Sequence, residues 1–192
     1  MPGFCQQTTT DLVMDFNLIV STYRHREDDA QNELHDILEL FGDPKPGSDI
    51  TDLVGILIGR TALEPFEVVK RIKELVNDEP WRVRYILRLI PIEFAFTEDG
   101  LDSIKSAAKR LASKMQKFET FRITVERRNT SLRSSEIIAT VGSEIDNRVD
   151  LENPDWIVLV EIIGKLVGIS VLRPKEIFSS LIEKRQGGPL LS

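Results

Sequence analysis

The sequence predicts an α/β protein (α+β in detail) built from two sheet-containing lobes that meet near residue 98. Short runs of β-branched and aromatic residues predict strands, and longer segments with apolar residues three and four apart predict amphipathic helices. These segments follow one another as β-α-β-α-β and then as α-β-α-β-β-α, an alternation typical of α/β architecture. We therefore divide the chain into a flexible tail (1–11), a first domain (12–98), a second domain (99–185) and a second tail (186–192).

The first lobe is predicted to contain three strands and two helices. Its strands are expected at 15–23, 53–58 and 81–90, and its helices at 27–41 and 65–76, the second with Pro65 in its first turn. In the segment 81–90, apolar residues occupy the odd positions, whereas Arg82, Arg84 and Arg88 occupy even positions. Because strand side chains alternate between faces, this pattern predicts a row of arginines opposite the core.

The second lobe is predicted to contain three helices and three strands. Strands at 155–163 and 166–172 are joined by Gly164-Lys165, which suits a type II′ hairpin. Ser134 is placed to cap one of the helices. The remaining elements are a helix at 101–118, a strand at 120–126, a helix at 134–149 and a short helix that Pro174 opens and that ends near Glu183.

Charge is distributed unevenly along the chain. The net charge is −6, and the first sixty residues carry 11 acids against 4 bases. Residues 105–133 carry nine bases against two acids. Screening limits electrostatic attraction to about 8–10 Å, so this local excess matters more to a polyanion than the total does. A nucleic acid is therefore a plausible partner, and the acidic helix 27–41 is a candidate docking surface for a basic protein.

Several classes of function lack their usual sequence signals. Cys5 is the single cysteine, and His25 and His35 are the two histidines, so we expect no disulfide within the chain, no metal and no cofactor. No Gly-rich phosphate loop and no zinc-deaminase motif is present. We expect a protein that is not an enzyme, although catalysis by unmarked carboxylates stays open. No apolar run approaches about 20 residues, and no signal peptide begins the chain, so we expect a cytoplasmic protein without membrane contact.

The segment 120–138 is the strongest candidate for a binding site. A strand that bears Arg122 ends in Arg127, Arg128 and Asn129, and a polar loop through Arg133 then enters a helix at Ser134-Ser135. Arginine forks match phosphate oxygens, and a helix N-terminus offers free N–H groups to an anion. The preceding basic helix, with Lys109 and Arg110, would widen the positive field. The alternative is a solvated strand end whose arginines are incidental.

The same region resembles the THUMP domain family. The matching words are FRITVERRN, SSEIIATVGSEID, NRVDLENPDWIVLVEIIG and ISVLRPKEIF, and they occur in the family's order. Upstream, PWRVRYILRLIPIEF resembles the end of the ferredoxin-like lobe that precedes THUMP. The resemblance covers roughly residues 14–183 and implies an N-terminal ferredoxin-like lobe followed by an α/β THUMP core.

Within the family, the chain resembles the free-standing subfamily that includes the tRNA-acetylation adaptor. It lacks the motifs of the methyltransferase, sulfur-transferring and deaminase domains that other THUMP proteins carry. The resemblance implies that the protein holds the acceptor end of tRNA and presents it to a separate enzyme, an RNA cytidine acetyltransferase that forms N4-acetylcytidine. The residues it implies in RNA contact are Arg122, Arg127, Arg128, Asn129 and Arg133, with Ser134, Ser135 and Lys175 nearby and with Arg84 and Arg88 as an extension.

Two other hypotheses remain beside this one. The protein is either a protein-interaction module of an RNA-processing complex, without tRNA specificity of its own, or an enzyme that acts on RNA alone. The identity of the tRNA and the oligomeric state stay open, since the apolar hairpin 155–172 fits both a buried central pair and a subunit contact.

Overall fold

Two five-stranded sheets pack face to face in the computed structural model, which describes residues 15–186. Each sheet carries helices on its outer face, so the order of layers is helix, sheet, sheet, helix. This mixed architecture confirms the predicted fold class. The tail predicted at 1–11 and residues 187–192 lie outside the described part of the chain.

The first sheet has the strand order β10-β4-β1-β3-β2, and every pair in it is antiparallel. Its first four strands and two helices follow the β-α-β-β-α-β connectivity of a ferredoxin-like unit. The edge strand β2 is an element that the sequence analysis did not predict. The elements are β1 (Leu18–Ser21), α1 (Glu27–Leu40), β2 (Gly47–Ile50), β3 (Ile56–Arg60), α2 (Pro65–Asp78) and β4 (Arg88–Pro91), completed by β10 (Phe178–Ser179).

The strand predicted at 81–90 is wrong over its first seven residues. Pro80–Arg82 form a 3-10 turn, and the strand begins only at Arg88. The Glu33 carboxylate of α1 accepts the backbone N–H groups of residues 84, 85 and 86 at 2.7–3.1 Å, so these groups are not free to join a strand ladder. Val83 and Ile86 are the buried residues here, at a spacing of three instead of two. The three arginines therefore do not form a row.

The second sheet has the strand order β5-β9-β8-β6-β7. β6 runs parallel to β7 and β8, whereas β9 is antiparallel to β8 and β5. Gly164 has φ +61° and Lys165 has no positive φ, as a type II′ hairpin requires. The elements are β5 (Phe94–Thr97), α3 (Leu101–Ala112), β6 (Thr120–Arg128), α4 (Ser134–Gly142), β7 (Arg148–Val149), β8 (Trp156–Ile163) and β9 (Leu166–Leu172). The last helix, α5 (Ser180–Gln186), follows β10 and packs against α2 of the first sheet.

Three helices are shorter than the sequence predicted. The helix expected at 101–118 ends at Ala112, and the one expected at 134–149 ends at Gly142. After it, the Asn147 amide donates to two backbone carbonyls of the α3–β6 loop, at 2.7 and 3.0 Å, and the chain turns into β7. The helix expected from Pro174 is a 3-10 turn followed by β10, because Phe178 is buried in the first sheet's core and pairs with β4.

Strand pairing crosses the boundary predicted near residue 98 in both directions. β5 precedes that boundary but belongs to the second sheet, and β10 follows it but belongs to the first. The division into domains remains a prediction, but the two sheets do not separate at this point of the chain. No helix in the described range is long and apolar enough to cross a membrane.

Alternation along the strands fills three core layers. In β1, Leu18 and Val20 pack against α1 and α2, and Ile19 faces the other sheet. In β8, Val158 and Val160 likewise pack under α3 and α4, and their neighbours face the first sheet. Both sheets are thus apolar on both faces in their central strands.

Candidate nucleic-acid interface

The end of β6 and the start of α4 form an exposed corner of the second sheet. β6 pairs in parallel with β8 along residues 121–128, and Ile137 and Val141 bury one side of α4 in the core. Between them, Asn129 adopts the left-handed backbone conformation, with φ +54°. Asparagine tolerates this region better than most residues, so the chain can leave the strand sharply and enter the helix five residues later.

Five of the residues predicted to bind RNA come together here, and we call them the corner patch: Arg127, Asn129, Arg133, Ser134 and Ser135. Four are exposed, and Ser134 is half-buried. Arg127 Nε donates to Ser134 Oγ at 3.1 Å. Neither Arg127 nor Arg133 lies within 4.0 Å of a carboxylate in residues 15–186. Their guanidinium groups are therefore available to an anion.

The predicted cap of α4 is wrong. Arg133 occupies the N-cap position and makes no side-chain cap hydrogen bond, and Ser134 is the first helical residue. The Ser134 hydroxyl instead accepts the bond from Arg127, on the same side of the helix end. The first N–H groups of α4 consequently have no side-chain acceptor among the described residues. A helix start of this kind is a favourable place for a phosphate.

Arg128 and Arg88 lie near this end of β6 but on the opposite face of the sheet. Arg128 contacts the carboxylates of Glu161 at 3.2 Å and Glu126 at 3.6 Å, and Arg88 contacts Glu126 at 3.8 Å. We call these four residues the inter-sheet charge cluster. Burial of Glu161, which is 1% exposed, raises the pKa of its carboxyl to about 7; the Glu126 charge adds to that rise and Arg128 opposes it. Both arginines are thus already partly neutralised.

Three predicted residues of the second lobe lie away from the corner patch. Arg122 is at the other end of β6, roughly 20 Å from Arg128 at about 3.3 Å per residue, and its Nη1 donates to the Leu151 carbonyl. Lys109 contacts Glu144, beyond the C-terminal end of α4, at 2.7 Å. Arg110 stacks over the Phe94 ring at 4.3 Å. A single contiguous surface through all of them is not formed.

Arg84 and Lys175 belong to the opposite side of the molecule. Arg84 lies beside α1, where its Nε donates to the Trp81 carbonyl at 2.8 Å. Lys175 is exposed in the turn before β10, and its carbonyl accepts a bond from Lys73 of α2. Since α1 and α2 form the outer layer of the first sheet, these two bases are separated from α4 by both sheets. Any role for them in RNA binding stays a prediction.

Sequence reasoning missed a cluster that joins β8, the strand β9 and the α3–β6 loop. The Arg173 guanidinium lies 3.7 Å from the centre of the Trp156 ring, and both residues contact the carboxylate of Glu119, at 2.6 and 2.8 Å. The N–H groups of Gln116 and Trp156 and the Arg173 guanidinium lower the pKa of Glu119 to about 2. Trp156 and Arg173 lie in the words RVDLENPDW and VLRP, so part of the family resemblance has a structural cause.

The aspartates of the same word are also structural. Asp150 Oδ1 accepts the N–H groups of Glu152 and Asn153, which closes the turn after β7. Asp155 Oδ2 accepts the N–H and the hydroxyl of Thr120, at 2.8 and 3.0 Å, and aligns the start of β6 with β8. These contacts fix the register of the strand that carries the corner patch.

Together, the fold and the corner define a two-sheet α/β protein with an exposed basic strand-to-helix junction. Residues 98–172 match the family model of the THUMP domain, as the sequence words predicted. THUMP domains are associated with RNA binding and tRNA modification. The corner patch lies entirely within the matched residues.

The relatives bear the same domain name. The chain is 31% identical over 136 residues to the mouse THUMP domain-containing protein 1, and 31% identical over 138 residues to its human counterpart. Each match covers 64% of this chain but only 38% and 37% of the mouse and human proteins. The matched part is therefore well under half the length of these relatives.

Solved structures share the fold. The structure of PH1313 from Pyrococcus horikoshii superposes with a TM-score of 0.65 and 23% identity, covering 82% of this chain and 54% of that one. A 4-thiouridine synthetase in complex with RNA and ATP gives a TM-score of 0.56 at 16% identity, over 82% and 41% of the two chains. TrmN from Thermus thermophilus gives 0.54 at 19% identity, over 82% and 46%. These likenesses extend over both sheets.

Proposed function

We propose that the protein binds tRNA through the corner patch and presents it to a separate tRNA-modifying enzyme. One observation carries the proposal: Arg127 and Arg133 are exposed, have no carboxylate partner among residues 15–186, and flank a helix start without a side-chain cap. By contrast, Lys105, Lys109 and Arg128 are held by Glu144 or Glu161. The corner therefore combines free positive charge with free N–H donors.

The chemistry of the corner suits a phosphate backbone. A guanidinium can donate two parallel hydrogen bonds to one phosphate, and the first N–H groups of α4 can donate to an adjacent phosphate. Such contacts position an RNA strand without reading its bases. Specificity for tRNA would then come from the shape of the RNA, in line with the family's association with tRNA. We propose the acceptor end as the part that is held.

The partner enzyme and the product are the finer part of the proposal. The resemblance to the free-standing THUMP subfamily supports an RNA cytidine acetyltransferase that forms N4-acetylcytidine. It also supports an adaptor that is not itself catalytic, because the sequence lacks the motifs of the catalytic domains found in other THUMP proteins. The matched relatives are longer than this chain's alignment to them, so both statements are hypotheses about this protein.

Measurement of tRNA affinity over a salt series tests the binding surface. We expect Arg127→Ala with Arg133→Ala to lower the affinity for tRNA by about one to two orders of magnitude, if each lost phosphate contact contributes about 1–1.5 kcal/mol. The salt slope should also fall by about 1 for each arginine. The matched control is Arg24→Ala with Lys45→Ala, which removes the same charge at two exposed positions of the first lobe. Equal losses in both variants, with the fold intact, would remove the corner from the proposal.

Nucleoside analysis tests the finer part. We expect tRNA from cells without this gene to lose N4-acetylcytidine, and we expect the intact protein to restore it. The corner variant should fail to restore the nucleoside, whereas the Arg24/Lys45 control should succeed. If acetylcytidine is unchanged and a different modified nucleoside is lost, the proposed partner enzyme is wrong but the proposal of tRNA binding stands.

A second candidate function is supported by a groove on the first lobe. Asp29, Asp36 and Leu40 of α1 line one wall, and Trp81, which is 59% exposed, lies on the other beside Arg82 and Arg84. An acidic wall beside an exposed ring suits a basic segment of a protein partner. A stable protein complex that Trp81→Ala disrupts, formed by a chain that fails to bind tRNA at low salt, would favour this function over the first.

A further inference from the structure

The outer edge of β6 is largely open. β7 pairs with β6 only at Thr120 and Phe121, and no other described strand lies on that side of residues 122–128. Natural proteins usually cover or shorten such an edge, because unpaired N–H and C=O groups are a template for another strand. This edge is seven residues long and includes the apolar, half-buried Ile123 and Val125.

Two hydrogen bonds show which residues turn their backbone groups outward. The Phe121 carbonyl accepts the Asp150 N–H on the β7 side, and the Arg128 carbonyl accepts the Gly164 N–H on the β8 side. Because successive residues of a strand point their backbone groups to opposite sides, Ile123, Val125 and Arg127 point outward. Across residues 15–186, these outward groups have no strand to pair with.

An unsatisfied side chain lies on the same edge. The Nε of Arg122 is buried and has no hydrogen-bond partner among the described residues, although its Nη1 reaches the Leu151 carbonyl at 3.3 Å. Four residues further along the same face, Glu126 is 38% exposed and has only loose partners, at 3.6 and 3.8 Å. Arg122 also has no carboxylate within 4.0 Å among residues 15–186, so its positive charge is not paired within the described chain.

We infer that this edge pairs with the same edge of a second copy of the chain. In an antiparallel pair centred on Thr124, Arg122 lies directly opposite Glu126 of the second copy, and the reciprocal pair forms at the other end. Ile123 of one copy then lies opposite Val125 of the second copy. Because the backbone groups of both residues point outward, the two residues form both backbone hydrogen bonds of an antiparallel pair. When the strand pairs with a second copy of itself in this register, opposite charges face each other and the outward-pointing backbone groups face each other.

The neighbouring registers fit less well. In the register centred on Val125, Arg122 lies opposite Arg128 of the second copy. The register centred on Ile123 requires a hydrogen bond to the Phe121 carbonyl, which already accepts the Asp150 N–H. Opposite charges directly across a pair stabilise it and like charges destabilise it. Only about five residues of each copy pair, so we expect a weak dimer that forms as concentration rises.

Charge exchange tests the register by sedimentation velocity without RNA. We expect Arg122→Glu alone and Glu126→Arg alone each to weaken self-association by about tenfold or more, because each creates two like-charge pairs. The double variant should recover it, since the opposite charges then face each other in reverse. Self-association that Arg122→Glu leaves unchanged would overturn this register.

Cysteine cross-linking provides a second measurement that does not depend on charge. Thr124 faces its own counterpart across the two-fold axis at a pair without backbone hydrogen bonds, where Cβ atoms are about 4.5–5.5 Å apart. In a Cys5→Ser background, Thr124→Cys should form a disulfide-linked dimer under mild oxidation. Ser106→Cys, on the exposed side of α3, is the control. Cross-linking of Thr124→Cys no faster than of the control, with a monomer at every concentration, would overturn the proposal.

Discussion

Replacement of Glu161 by glutamine should change how stability depends on pH. The carboxyl is buried on the inter-sheet side of β8, its Oε2 contacts Arg128 at 3.2 Å, and its Oε1 has no hydrogen-bond partner in the described part of the chain. Burial raises its pKa from 4.5 to about 7. Between these two values the folded protein keeps a proton that the unfolded chain has released, so folding becomes less favourable as the pH rises.

The size of the effect follows from the two pKa values. A rise from 4.5 to about 7, at about 1.4 kcal/mol for each pH unit, corresponds to about 3 kcal/mol of stability that is present below pH 4.5 and lost by pH 7. Glutamine stays neutral and can still accept a bond from Arg128. The variant should therefore match the wild type near pH 5 and exceed its stability by up to about 3 kcal/mol at pH 8.

Urea unfolding at pH 5, 6, 7 and 8 measures this difference directly. The slope with urea concentration should stay the same in both proteins, since the surface exposed on unfolding does not change. Glu136→Gln, the same change at an exposed position on α4, is a suitable control. If the free energies of unfolding of wild type and Glu161→Gln fall in parallel from pH 5 to 8, the buried carboxyl is not the cause.

Three further changes test other parts of the structure. Glu119→Gln should lower stability at neutral pH and flatten its loss below pH 4.5, because the pKa of Glu119 is held at about 2; acid unfolding measures this. Arg173→Lys should lower the melting temperature and shift Trp156 fluorescence, because lysine cannot stack and bridge to Glu119 together. Gly55→Ala should cost about 1–3 kcal/mol in urea unfolding, since Gly55 has φ +78° and an added Cβ would lie 2.9 Å from the Thr22 carbonyl.

The order of the main helices and strands could be predicted because each has a clear apolar period. The four short edge strands β2, β5, β7 and β10 were not predicted, since a run of two to four residues is too short to show a period. The segment 81–90 shows the opposite error. Its alternation imitates a strand, but Glu33, about fifty residues earlier, takes the backbone donors that a strand would need.

The candidate site, like the fold, could be predicted from the sequence only in part. The corner patch could be predicted because residues 127–135 are contiguous and one turn brings them together. Arg84 and Lys175 could not be placed, because their positions depend on how two sheets stack. The partners of Arg128 were also hidden, since Glu161 is 33 residues away and its burial follows from the packing of the sheets.

The exchange of β5 and β10 between the sheets bears on how the chain is made. During synthesis from the N-terminus, the first sheet cannot be completed until residues 178–179 have emerged, because β10 is the outer neighbour of β4. The second sheet in turn takes its edge strand β5 from the polypeptide just before its own helices. We expect the two halves to gain full protection from hydrogen exchange together, late in synthesis, with the nascent first lobe exposed to chaperones and proteases until then.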